Sequence, residues 1–145
     1  MSEPDDAFGR RPLTEAERDQ LLDLPLPGVF STIAEGGWIH SVPVHFRPSD
    51  GTLRLIAERG SVKDRNVRRT HRATLCVATT VDAERRYVTV EGPVDIEDHV
   101  ARSDLTALDR RYGRESADPD DEVYEGSLTL VLRPERWIAW ADLDD

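Results

Sequence analysis

The sequence predicts a mainly β (α+β) fold, in which a small antiparallel barrel carries helices on its outside. Three observations lead to this fold class. Short apolar segments with alternating polar residues recur along the chain, turns rich in glycine and proline separate them, and three segments have helical spacing. At 145 residues the chain is long enough for one core and not for two. We therefore expect a single domain over residues 14–145, preceded by a flexible segment at residues 1–13.

The predicted strands follow one another with short connections. They are placed at residues 28–34, 38–46, 52–57, 73–80, 86–96, 126–132 and 136–141. Turns at residues 35–37 and 48–51 predict that the first three strands form a β-meander, and residues 133–135 predict a closing hairpin between the last two. Gly92 and Pro93 are expected to bend the strand that contains them.

The predicted helices have recognisable ends. The first covers residues 15–22 and opens with the capping-box pattern of Thr14 and Glu17. The second opens at Ser61, and the third covers residues 97–112 and stops at Gly113. Alternation along the second strand predicts that one face of it is core: Trp38, His40, Val42, Val44 and Phe46.

The charge distribution excludes some functions and points to another. The net charge of −10 argues against binding to nucleic acid or to acidic membranes, because either polyanion would be repelled. Residues 59–72 are the exception: six Arg or Lys against one Asp give +5, which leaves −15 on the rest of the chain. A small anion would be attracted to this segment.

The start of the second helix has the features of a phosphate site. A strand ends near Gly60, Ser61 caps the helix, and Lys63 follows in its first turn. Free backbone N–H groups, the positive end of the helix dipole and an ammonium group therefore meet at one place. The alternative is that the basic segment is a solvated face that balances nearby acidic residues.

Other chemistry finds little support in the sequence. The single cysteine, Cys76, excludes an intramolecular disulfide, and His40 and His45 lie on opposite faces of their strand, so we predict no metal site. No hydrolase, metalloprotease or nucleotide-binding motif is present, and we nominate no catalytic acid or base. The N-terminal residues contain no apolar run, so we expect no membrane segment and a cytoplasmic location.

Several segments together resemble the pyridoxamine 5′-phosphate oxidase-like split barrels. They are Gly28-Val29-Phe30-Ser31-Thr32-Ile33, Ser41-Val42-Pro43-Val44-His45-Phe46, Gly60-Ser61-Val62-Lys63-Asp64-Arg65-Asn66-Val67-Arg68-Arg69, Arg72-Ala73-Thr74-Leu75 and Tyr87-Val88-Thr89-Val90-Glu91-Gly92-Pro93-Val94. The resemblance implies an antiparallel split β-barrel with flanking helices. It also implies a homodimer with the cofactor at the subunit interface and a small-molecule substrate.

The pattern Lys63-x-x-Asn66-x-x-Arg69 after Gly-Ser looks most like the branch of this family that uses the deazaflavin coenzyme F420. The resemblance then places the cofactor phosphate at the helix opening and the cofactor head along the second strand. The cofactor-binding residues it implies are Ser41, Val42, Pro43, Val44, Ser61, Val62, Lys63, Asn66 and Arg69. Basic residues that would line the exit for the acidic tail of F420 are Arg65, Arg68, Arg69 and Arg72.

The expected function is therefore an oxidoreductase that binds F420 and transfers a hydride to a small unsaturated organic substrate. Two alternatives remain open within the same fold. One is an FMN-binding oxidoreductase, because Ser61 followed by Lys63 also fits FMN-binding relatives. The other is a module that binds a cofactor or haem without catalysis.

Overall fold

The computed structural model describes residues 9–115 and 125–143, which form nine strands and three helices. The strands are β1 (Arg10–Pro12), β2 (Gly28–Ile33), β3 (Ile39–Val44), β4 (Phe46–Ser49), β5 (Thr52–Glu58), β6 (Arg72–Val81), β7 (Glu84–Glu97), β8 (Ser127–Leu132) and β9 (Arg136–Leu143). The helices are α1 (Glu15–Asp23), α2 (Val62–Thr70) and α3 (Arg102–Tyr112).

All strand pairs are antiparallel, and the main path through the sheet is β3-β2-β6-β7-β8-β5-β4. β9 pairs with β7 beside this path, and β1 pairs with β9. The inward faces of the strands supply a continuous apolar core, which is typical of a curved antiparallel sheet with helices outside. The predicted fold class, a mainly β split barrel with flanking helices, is confirmed.

The long strand β7 joins two parts of the sheet by bending near Gly92. Its residues 84–91 pair with β9, whereas residues 94–97 pair with β8. A Cβ atom on Gly92 would lie 1.9 Å from the carbonyl oxygen of Arg133, so only glycine fits this close approach. The predicted hairpin between the last two strands is wrong, because β8 and β9 pair with successive stretches of β7 and not with each other.

The predicted β-meander is only partly confirmed: the two predicted turns each join an antiparallel pair, but the strand predicted between them is divided in two. β3 pairs with β2, while β4 and β5 pair with each other and β5 continues to β8. β3 and β4 therefore stand at opposite ends of the path, although His45 is the one residue between them in the chain. Alternation of inward and outward residues continues through His45, so the pattern contains no signal of the break.

The helix ends agree with the sequence analysis more closely than the strand pairing does. Thr14 and Glu17 form the capping box of α1, Ser61 caps α2, and Gly113 ends α3 in the left-handed conformation. The third helix starts at Arg102 and not at residue 97, because residue 97 still pairs with β8. Residues 10–12 of the segment expected to be flexible form β1 on β9; residues 1–8 lie outside the described part of the chain.

The predicted core face of the second strand is partly confirmed. Val44 and Phe46 are buried, and His40 and Val42 are half-buried. Trp38 is instead 56% exposed, beside Ile39 at 69%. Trp38 precedes β3, so it is not held in the alternation that turns Val44 inward.

Candidate functional site

The opening of α2 already uses part of its hydrogen-bonding capacity within the chain. Gly60 has φ +82°, and Ser61 then caps the helix with its hydroxyl, which accepts from the Asp64 N–H at 3.4 Å. The Asp64 carboxylate accepts from the Gly60 N–H at 2.7 Å. The N–H groups of Val62 and Lys63, in the first helical turn, have no intrahelical acceptor and are left for another partner.

Three of the six basic side chains in residues 59–72 form ion pairs with carboxylates. The ion pairs are Arg59–Asp98, Arg68–Asp98, Arg68–Asp64, Arg72–Glu91 and Arg72–Glu135. Arg69 donates to the carbonyl oxygen of Ile33. Within residues 9–115 and 125–143, Lys63, Arg65 and Arg69 form no ion pair, so they carry the uncompensated positive charge of this helix.

A cleft of about 480 Å³ lies between the break in the sheet and α3, and Lys63 lines it. Its walls come from β3, β5, α2, α3 and the loop ends beside them. The lining residues are Pro27, Pro43, Val44, His45, Ile56, Lys63, Leu105, Leu108 and Arg114. The wall is thus mostly apolar with three nitrogen-bearing side chains, and no carboxylate is among its described residues.

His45 is held at the mouth of this cleft by Tyr112. The two rings stack with centroids 3.9 Å apart and planes 9° apart. The Tyr112 hydroxyl accepts from the Phe46 N–H at 3.2 Å and lies 2.9 Å from the Leu26 carbonyl oxygen, to which it can donate. Partial burial, then the positive charges of Arg114 and Arg111, lower the pKa of His45.

The α3 wall of the cleft is anchored to the sheet by a buried carboxylate. Asp104, 1% exposed, accepts from Arg47 Nε at 2.9 Å and from Arg54 Nε at 2.8 Å. Burial alone would raise the pKa of Asp104, but the hydrogen bonds from Arg54 and Arg47 outweigh it and hold the pKa below its ordinary value. Leu105 and Leu108, which face the cleft, therefore stand on a fixed helix.

The structure brings some predicted site residues together in the cleft. Pro43, Val44 and Lys63 line it from two different elements. Ser61 and Val62 stand next to Lys63 at the start of α2, where Ser61 acts as the helix cap.

Other predicted site residues face elsewhere. Asn66 is 4% exposed and donates from Nδ2 to the Thr32 hydroxyl at 3.0 Å, and Arg69 binds the chain at Ile33. Ser41 is exposed on the outer face of β3, where its hydroxyl lies 2.7 Å from that of Ser31. Val42 points towards the core side and does not line the cleft.

Several lining residues were missed by the sequence analysis. The spacing of Leu105 and Leu108 is typical of the inward face of a helix, but the sequence contains no indication of which element they cover. His45 and Arg114 meet at the cleft only because the break after β3 and the end of α3 come together, and that has no local signal.

Exposed apolar side chains lie on the outer face of the β2–β3 pair: Val29, Ile33 and Ile39. Ile33 pairs with Ile39, and Val29 pairs with Pro43, which is itself a wall residue of the cleft. Exposed Trp38 precedes β3, and exposed Ile138 lies on β9. Pro43 therefore belongs both to this apolar outer face and to the cleft wall.

No described helix combines the length and apolar character that crossing a bilayer requires. Within the described ranges, no three His, Cys, Asp or Glu side chains come together as a metal site.

Comparisons with known proteins identify the family. An F420 reductase has 23% identity and a TM-score of 0.75, covering 87% of this chain and 98% of its own. A conserved hypothetical protein from Mycobacterium tuberculosis has 19% identity and a TM-score of 0.80, covering 96% of this chain and 89% of its own. An FAD- and haem-binding protein from Mycobacterium smegmatis has 16% identity and a TM-score of 0.70, covering 94% of this chain and 74% of its own. Among curated proteins, none matches. The pyridoxamine 5′-phosphate oxidase family model matches residues 13–141, and the chain belongs to that family.

Proposed function

We propose that this chain is an oxidoreductase that binds coenzyme F420 in the cleft and transfers a hydride to a small unsaturated organic substrate. The proposal rests mainly on the position of Lys63. Its ammonium group lines a mostly apolar cleft without a carboxylate partner among the described residues, so an anion is the partner that it lacks.

The residues present fit a phosphate-bearing, flat cofactor. Lys63 and the unpaired N–H groups at the start of α2 suit a phosphate, and the apolar wall of Pro43, Val44 and Ile56 suits a ring system. The bound cofactor would supply the hydride chemistry. The chain would bind and orient it and exclude water, and this role requires no catalytic acid or base.

FMN is the second candidate, and the pairing of the arginines favours it. The acidic tail of F420 would need free basic residues along its exit. Arg68 and Arg72 are engaged with carboxylates and Arg69 with a carbonyl group, which leaves Arg65 as an exposed free cation. FMN has no such tail and needs only the phosphate cradle. The likeness to an F420 reductase keeps F420 first.

A binding experiment separates the candidates. Purified protein is titrated with F420 by fluorescence quenching and with FMN by absorbance, using wild type, Lys63→Ala and Arg110→Ala. Arg110→Ala is the matched control, because it removes one exposed cation outside the cleft and outside the basic segment that would meet the F420 tail. We expect micromolar or tighter binding that weakens at least about tenfold in Lys63→Ala and less than about twofold in Arg110→Ala.

The outcomes differ for each function. Absence of binding to both cofactors, or equal loss in both variants, would reject the proposed site. Tight binding of FMN with no response to F420 would select the second candidate. Binding without hydride transfer to any member of a panel of electron-poor alkenes would select a non-catalytic cofactor-binding module.

We also propose that a second copy of the chain covers the apolar outer face, so that the cofactor lies at a homodimer interface. Ile39, at 69% exposure, pairs with exposed Ile33, and exposed Val29 lies further along the same face; large apolar side chains left in solvent on one face often mark protein interfaces. Ile39→Asp should shift the protein to monomer in sedimentation. Ala16→Asp, which adds the same charge on exposed α1, should not. A monomeric wild type would refute the dimer.

A further inference from the structure

The surroundings of His45 contain more positive than negative charge. Lys63 approaches the cleft from α2, and Arg111 and Arg114 come from the end of α3. Arg114 pairs with Asp109 at 3.3 Å, whereas Arg111 donates to carbonyl oxygens at the end of α1 and has no ion pair among the described residues. Among residues 9–115 and 125–143, the charged groups that act on the imidazole are therefore mainly cationic, and one carboxylate offsets Arg114.

The imidazole is positioned but has no hydrogen-bond partner. Stacking on Tyr112 fixes the ring plane, and Tyr112 is itself held by backbone groups of β4 and of the segment before β2. Neither ring nitrogen of His45 forms a hydrogen bond within the described part of the chain. A fixed imidazole with free nitrogens at a cationic cleft is suited to donate to an incoming anion.

We propose that His45 is a proton-linked anion ligand, which binds a phosphate-type group together with Lys63 and Arg114 and takes up one proton when that group enters. This inference rests on the proposed cofactor site and adds to it the residues at its anionic end. Without an anion, desolvation and the positive charges of Arg114 and Arg111 disfavour the protonated form of His45. The negative charge of a bound anion favours the protonated form of His45, which takes its proton from the solvent.

The linkage has a defined sign. The pKa of His45 lies below its ordinary value in the free protein, because of partial burial and the two arginines. Anion binding raises it, so the anion binds more tightly as the pH falls between the raised and the lowered pKa. One linked proton changes the affinity by up to about tenfold per pH unit in that window.

Sulfate is the probe for the test, because its charge is constant where a phosphate monoester titrates, near a pKa of about 6. NMR follows the His45 ring proton of wild-type protein against pH, with and without sulfate, and calorimetry measures sulfate affinity between about pH 5 and pH 8. We expect sulfate to raise the pKa of His45 and to bind more tightly at the lower pH. His45→Gln should lose this pH dependence, and His99→Gln, an exposed histidine outside the cleft, should keep it.

Two results would overturn the inference: a pKa of His45 that sulfate leaves unchanged, or a pH dependence of sulfate binding that survives in His45→Gln. The first needs no variant, so it does not depend on how His45→Gln folds. FMN and riboflavin, which differ by the phosphate, then identify the source of the anion. If sulfate shifts His45 and FMN does not, the linked anion site stands and the cofactor placement fails.

Discussion

The anchoring of α3 by Asp104 gives a stability prediction that can be worked out from the structure. Asp104→Asn keeps the shape of the side chain but removes its charge, and it leaves the guanidinium groups of Arg47 and Arg54, 21% and 17% exposed, without that carboxylate. Breaking a buried ion pair by removing one charge costs about 3 kcal/mol of unfolding free energy. With a slope of about 2 kcal/mol per M, the urea midpoint should fall by about 1.5 M.

Asp95→Asn is the matched control. Asp95 pairs with one arginine, Arg133, at 2.9 Å, but both side chains of this pair are more than half exposed. Such a pair contributes about 0.5 kcal/mol or less, so the urea midpoint should move by about 0.25 M or less. Equal shifts in the two variants would show that burial of Asp104 does not set its contribution, and the reasoning would fail.

The lowered pKa of Asp104 predicts how its contribution to stability depends on pH. Because the pKa of Asp104 is lowered in the folded protein, its stabilisation is complete above the ordinary value of 3.8 and is lost as the pH falls through the folded value. The difference in unfolding free energy between wild type and Asp104→Asn should therefore be constant from neutral pH down to about pH 5. It should shrink only in stronger acid. A difference that already declines near neutral pH would contradict the assignment.

Three further predictions concern the fold around the site. Gly92→Ala should cost about 2 kcal/mol or more in urea denaturation, because its Cβ would meet the Arg133 carbonyl at 1.9 Å, whereas Gly126→Ala, with no atom within 4 Å, should cost less than about 1 kcal/mol. Hydrogen bonds from Arg11 lower the pKa of Glu17 from 4.5 to about 2, so Glu17 should stabilise the fold above pH 4.5 and lose this contribution as the pH falls towards 2. In acid denaturation, the free energy of unfolding of Glu17→Gln should therefore decline less over that range than that of the wild type. Tyr112→Phe should lower the free energy of unfolding by about 1–2 kcal/mol in thermal or urea denaturation, because the Phe46 N–H loses its acceptor. The ring of residue 112 should still stack on His45, so the NMR chemical shifts of the His45 ring should stay the same.

Local chemistry was readable from the sequence wherever one residue type decides a conformation. The caps at Thr14 and Ser61 and the stop at Gly113 follow from side-chain acceptors and from the left-handed conformation, which neighbouring residues suffice to specify. Strand pairing was not readable in this way. β7 pairs with β6, β8 and β9, and its bend at Gly92 assigns the last two to different stretches. The sequences of β8 and β9 do not indicate which stretch of β7 each strand pairs with.

The residues nominated for the site divide in the same way into local and long-range features. The nomination of Lys63 needs only local sequence, because an ammonium group beside the free N–H groups of a helix start attracts an anion wherever the helix lies in the fold. Asn66 and Arg69 do not line the cleft, because the side of α2 that faces β2 depends on how the helix docks, and docking buries Asn66 against Thr32. Arg114 follows α3, and its approach to the cleft depends on a packing that the sequence alone does not show.

The exposure of Trp38 connects the fold to the proposed assembly. The alternating pattern predicts Trp38 as core, but within one chain this side chain is 56% exposed. A second copy on the outer face would bury it. Because Pro43 belongs to the cleft wall and pairs with Val29 on that face, the same partner would also close the open side of the cleft. Burial of the apolar face and exclusion of water from a bound cofactor would then be one event, which ties cofactor affinity to dimerisation.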